Sequence, residues 1–196
     1  MDSQQLPESA MPAWAIPILG TLDVPIFGTQ MPIDRAHEIC MVFYGIGLVF
    51  GIILLVIIIS RLLFQAPLPA AMQPTLLILT APFALAFSGY ENLTGGQDIF
   101  ASIMFYFNLF LLVLFSSKIM LLPKTCPFFV SWWSVGFPLA AVTISALRYA
   151  EHSPGPVHQI IAAALLITTS FIIVFLTVQT LYRISNGTFA VLAPRL

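Results

Sequence analysis

ICMVFYGIGLVFGIILLVIIIS, residues Ile39–Ser60, holds no Asp, Glu, Lys or Arg over its whole length. A bilayer's hydrocarbon core is about 30 Å thick, and roughly 20 apolar residues in a helix cross it. Four more uncharged runs of 19 to 29 residues follow: Leu62–Tyr90, Ile99–Ser117, Thr125–Leu147 and Gln159–Tyr182. A soluble chain of 196 residues has no use for five such segments. The sequence therefore specifies an all-α integral membrane protein.

Whole-chain composition agrees. Residues are 59% hydrophobic and 8% charged, against about 25% charged in an ordinary soluble domain. A net charge of -1 offers no basic footprint for nucleic acid. Cys40 and Cys126 are far apart and form no CxxC pair, so neither a disulfide framework nor a metal site is suggested, and both read as packing residues. No P-loop, GxGxxG, HExxH or GxSxG motif occurs, and no cofactor is called for. His37, His152 and His158 fall at or outside the membrane interface, where a solvated imidazole is the ordinary reading and a pH-sensing one the alternative.

A polar tail, 1–10, precedes a single transmembrane domain, 11–196. Helices are expected at about 11–28, 36–64, 73–90, 98–122, 127–149 and 157–184. The tail is acidic and polar, unlike a signal peptide. The half-length apolar segment behind it reads as a chain beginning partway through a larger protein.

Prolines divide the helices into two kinds. Met11–Gly28 carries Pro17 with Pro12 and Pro25, Gln73–Tyr90 carries Pro82, and Pro127–Tyr149 carries Pro138. The intervening helices have none in their spans. Proline removes a backbone donor and kinks a helix. In lipid, the freed carbonyl belongs in the protein interior or beside a water-filled path. Kinked and straight helices alternate three times, an architectural repeat of hairpins that invites a ring around a central pore. The simpler alternative is that proline is merely common in membrane helices.

Basic residues set the orientation. Arg61, Lys118, Lys124, Arg183 and Arg195 fall on one side, and only Arg35 and Arg148 on the other. The richer side, with the C-terminus, is expected in the cytoplasm.

The span interiors lack the ionisable residues that proton- or sodium-coupled transporters keep at depth. Asp23, near the end of the short first segment, faces either a pore or solvent at a span end. Candidate pore-lining residues on the kinked helices are Pro17, Thr80, Pro82, Phe83, Phe87, Ser134, Pro138 and Thr143. An uncharged path can still pass anions, using hydroxyl dipoles and helix ends, with an aromatic ring as a dewetting plug.

Three motifs on the kinked helices resemble one family. Trp132-Trp133-Ser134-Val135-Gly136-Phe137-Pro138-Leu139-Ala140 resembles the penultimate helix of the tellurite-resistance/dicarboxylate transporter family. Thr80-Ala81-Pro82-Phe83-Ala84-Leu85-Ala86-Phe87 and Pro12-Ala13-Trp14-Ala15-Ile16-Pro17-Ile18-Leu19-Gly20 resemble its seventh and fifth helices. That family includes bacterial TehA proteins, fungal malate and sulfite transporters and the slow-type anion channels of guard cells. The resemblance implies ten helices in five hairpins around a pore, a homotrimer, and a phenylalanine plug, which the motif carries onto Phe137. It covers only about the last three hairpins. The function it implies is an anion channel or transporter for C4-dicarboxylates such as malate, or oxyanions such as tellurite or sulfite. The rival reading is a non-conducting membrane assembly subunit.

Overall fold

The computed structural model describes residues 10–119, 128–153 and 155–187. Cys126, Lys124, Arg195 and the 1–9 part of the tail lie outside them. Six helices are described: α1 (Pro12–Gly28), α2 (Ala36–Phe64), α3 (Ala70–Thr94), α4 (Ile99–Ile119), α5 (Val130–His152) and α6 (Pro156–Ser185). There is no strand among the described residues. All but α1 are long and apolar enough to cross a membrane. The fold is an all-α membrane architecture.

The proline-bearing helices α1, α3 and α5 form an inner row in which α3 packs against both others. α2 lies outside α1 and α3, α4 outside α3 and α5, and α6 outside α5. Burial follows that order: 72% of the most apolar stretch of α3 is enclosed, against 17% for α6.

At the prolines the structure shows a change of helix type. α1 is 3₁₀ over Pro12–Ala15 and α from Ile16 to Gly28. α3 is 3₁₀ over Ala70–Thr80 and α over Ala81–Thr94. α5 is 3₁₀ over Val130–Val135 and α over Gly136–His152. Pro17 and Pro82 are each the second residue of the α segment, and Pro138 the third. The first turn of an α-helix has no intrahelical use for its N–H groups, so proline is tolerated there.

The 3₁₀ turn also solves the problem of the freed carbonyl. In a continuous α-helix, Pro82 would leave the Ile78 oxygen four residues back without a donor. Here the Ala81 N–H takes that oxygen through an i→i−3 bond, and the Ile16 N–H takes Ala13 O in the same way ahead of Pro17. In α5 the corresponding bond runs from the Gly136 N–H to Trp133 O, one residue earlier relative to its proline. Hydroxyls reinforce the 3₁₀ arms: Thr80 donates to Leu77 O at 2.8 Å, and Ser134 to Ser131 O at 2.6 Å. Runs of 3₁₀ beyond three or four residues are uncommon, so Ala70–Thr80 is unusually long.

Close helix approach rests on small residues. Gly47 and Gly51 present a small-xxx-small face of α2 to α1. A Cβ at Gly47 would meet Thr21 Oγ1 at 2.6 Å and Leu22 Cγ at 2.7 Å. Gly89 sits as tightly on the Pro25 ring, 2.9 Å from where its Cβ would be. Deeper in the pair, the Tyr44 hydroxyl donates to Ala86 O at 3.1 Å, tying α2 to α3. Gly47→Val should lower the unfolding temperature in detergent, at a cost of about 1–3 kcal/mol, the usual range for overpacking. Gly45→Ala, with nothing within 4 Å of the new Cβ, should leave it unchanged.

Candidate functional site

α1 and α5 flank α3, and a groove of about 440 Å³ lies between them. From α1 it takes Ile16, Leu19, Gly20 and Asp23, which stand at i, i+3, i+4 and i+7 and so share one helix face. α3 contributes Ile78, the residue whose carbonyl the 3₁₀ turn satisfies. α5 contributes Ser134, Phe137 and Pro138. The groove thus sits where the three inner helices change from 3₁₀ to α. Ile16 and Phe137 hold equivalent positions, each directly before its proline.

The candidate residues divide sharply. Among the described residues Phe137 is the only aromatic lining the groove, and it is 48% exposed. Ser134 is half-buried and Pro138 buried beside it. The others face elsewhere. Phe83 is buried against Leu111 and Phe115 and meets the Phe107 ring edge-on at 4.6 Å. Phe87 is fully buried between Phe105 and Tyr149, at centroid distances of 5.8 and 5.9 Å. Thr80 is enclosed and donates within α3. Thr143 shares a 2.8 Å hydroxyl bond with Thr169, joining α5 to α6. Pro82 is buried toward Leu22 and Gly51, and Pro17 is exposed but does not line the groove. Of the paired tryptophans, Trp133 reaches α6, its Nε1 donating to Thr180 Oγ1 at 3.0 Å.

A second feature was not read from the sequence. The C-terminal ends of α1, α3 and α5 converge on a polar cavity of about 660 Å³, lined in part by His37, Glu91, Asn92, Arg148 and His152. Arg148 Nη1 donates to Asn92 Oδ1 at 2.8 Å and lies 3.8 Å from Glu91 Oε2. Asn92 Nδ2 donates in turn to Ile26 O. Gln97 Nε2 bonds Glu91 Oε1 and the Arg148 carbonyl oxygen. One polar chain therefore stitches all three inner helices at the same end. Arg148 also places a cation at the C-terminus of α5, where the helix dipole favours it. The signal in the sequence was the position of Glu91, Asn92 and Arg148 at the ends of two kinked helices. The other histidine of the region, His158, pairs its Nε2 with the Tyr106 hydroxyl at 3.1 Å.

Residues 1–181 match the family of voltage-dependent anion channels, SLAC1. The chain belongs to that family. S-type anion channel SLAH2 of Arabidopsis thaliana is 23% identical over 162 residues, covering 83% of this chain and 30% of that protein. S-type anion channel SLAH3 of the same plant is 23% identical over 178 residues, covering 91% of this chain and 27% of the relative. An uncharacterized transporter of Methanocaldococcus jannaschii is 28% identical over 153 residues, covering 69% of this chain and 44% of its own length. The chain spans about a third of the plant relatives' length.

Next to the polar cavity, Asp98 caps α4. Tyr90 donates its hydroxyl to Asp98 Oδ2 at 2.6 Å, and the Ala101 N–H donates to Oδ1 at 3.0 Å. These bonds, the tyrosine's first, hold the Asp98 carboxyl below its ordinary value. A depressed value means stability that is present above the unfolded pKa and lost as pH falls through the folded one. Acidification should therefore lower the unfolding temperature of the wild type. Asp98→Ala should lower it at neutral pH and remove that part of the acid sensitivity, as read by thermal scans across pH.

Proposed function

We propose that the groove is one wall of a passive anion pathway, with Phe137 as its plug. The observation that carries this reading is the placement of Phe137. It is the half-exposed aromatic on a groove whose other lining is small or aliphatic apart from Asp23, at the level where the inner helices change type. Family membership and the S-type anion channels among its relatives support anions as the cargo. An apolar constriction gates by dewetting, and a single ring that swings aside suffices to open it.

C4-dicarboxylates such as malate, and oxyanions such as tellurite or sulfite, are the proposed substrates. The wall closes with further hairpins of the kind the resemblance implies, and the working unit is a homotrimer. It sits in the plasma membrane, or the inner membrane of a bacterium, with the C-terminus in the cytoplasm. Each 100 mV across the membrane contributes about 2.3 kcal/mol per charge, so a negative-inside potential alone drives anion exit.

The test is anion conductance of the complete polypeptide, as expressed from its own gene, in planar bilayers or liposomes. Phe137→Ala should raise it roughly tenfold, the effect of removing about 1.4 kcal/mol of barrier. Phe87→Ala should instead destabilise the fold by about 3–5 kcal/mol, as large-to-small core changes do, without opening the path. An unchanged conductance in a folded, inserted Phe137→Ala protein removes Phe137 from the mechanism. No anion flux under any potential favours the assembly subunit.

A further inference from the structure

Among the described residues Asp23 is the one ionisable residue lining the groove. It lies two helical turns beyond Ile16 on the same face of α1, about 10 Å along the axis at 1.5 Å per residue. Its side chain is half-buried, and no hydrogen bond or ion pair reaches its carboxylate among the described residues.

Titratable groups on the neighbouring elements are engaged elsewhere. On α2, the Cys40 thiol lies 3.9 Å from Val24 O, Tyr44 is bonded to Ala86 O, and His37 lines the polar cavity. Glu38 is exposed at the start of α2, and Arg61 stands near its far end. On α3, Tyr90 is bonded to Asp98, and Glu91 to the Gln97 and Arg148 cluster. On α5, Arg148, Glu151 and His152 line the polar cavity, and Tyr149 is stacked on Phe105 at 4.0 Å. None of these groups lines the groove.

An acidic side chain in a conduit selects for cations and repels anions. Low-dielectric walls strengthen that repulsion, and protonation is the least costly relief for an unpaired carboxylate in such a place. From this geometry we infer that Asp23 makes anion passage proton-linked. The ionised carboxylate excludes anions from the groove. On taking a proton from water it becomes neutral, and the groove then admits them. This rests on the anion-pathway reading above and adds to it the condition under which the path opens.

Chloride and nitrate do not titrate near neutrality, so they serve as probes. Their efflux is measured from liposomes holding the complete polypeptide, with the potential clamped by potassium and valinomycin and the pH equal on both sides. Wild-type flux should rise about tenfold between roughly pH 8 and pH 5.5, equivalent to about 1.4 kcal/mol of barrier. Asp23→Asn should show high flux with no pH dependence. Asp23→Glu should keep the dependence with a displaced midpoint, and it provides the test should the Asn variant fail to fold. Flux whose pH profile is flat in the wild type, or identical in wild type and Asp23→Asn, overturns the inference and leaves the pathway standing. No flux from any variant at any pH overturns the pathway, and the proton link with it.

Discussion

In hydrocarbon a backbone carbonyl without a donor costs several kcal/mol, and this constraint shapes the inner half of the molecule. Each inner helix carries a proline within the first three residues of its α segment, and each proline withholds a donor from the turn before it. The chain answers with a 3₁₀ arm. At Pro17 and Pro82, the residue just before the proline supplies the bond that the proline cannot. Because 3₁₀ rises faster and turns tighter than α, the arm also re-aims the helix that follows it. The three switches fall side by side, since the 3₁₀ arm of α3 packs against those of α1 and α5. The groove is the consequence of their shared level.

Much of this was legible in the sequence. The five uncharged runs correspond to the five helices long and apolar enough to cross a membrane. Alternation of proline-bearing and proline-free helices separated the inner row from the outer. The 3₁₀ character was not legible. An apolar run looks the same at 3.0 and 3.6 residues per turn when nearly every residue is apolar, so Ala70–Thr80 gave no sign of it. For the same reason, no amphipathic stripe marked which phenylalanine lines the groove, and only the family resemblance set Phe137 ahead of Phe83 and Phe87. In the structure, position relative to proline separates these rings. Phe137 directly precedes Pro138, as Ile16 precedes Pro17, whereas Phe83 follows Pro82 and turns onto the packed face.

The two ends of the inner row differ in chemistry because they differ in backbone polarity. At the 3₁₀ end, carbonyls and hydroxyls are satisfied locally, and the lining stays apolar. At the other end, three helices terminate together, and their last carbonyls carry partial negative charge. Arg148 offsets that charge while Asn92 and Gln97 supply donors, so the polar chain from Ile26 to His152 is a capping arrangement shared among helices. It also fixes the spacing between α1, α3 and α5 at that end. The aromatic stack of Phe105 on Tyr149 wedges α4 against α5 nearby.

A family's fold can carry many specificities, because specificity is set by the few side chains that meet the permeating species. In the proposed pathway those groups are sparse among the described residues: one ring, one hydroxyl, one carboxyl and the bare backbone at Gly20. The Ser134 hydroxyl is already committed to Ser131 O, so it offers the groove lone pairs before it offers a proton. Gly20 leaves open space where a side chain would stand. A lining with so few donors holds no anion tightly, and weak binding is what rapid passage requires. On the proposed reading, discrimination falls to the electrostatics of Asp23 and to the width left by Phe137, both of which sit on elements whose positions the proline switches determine.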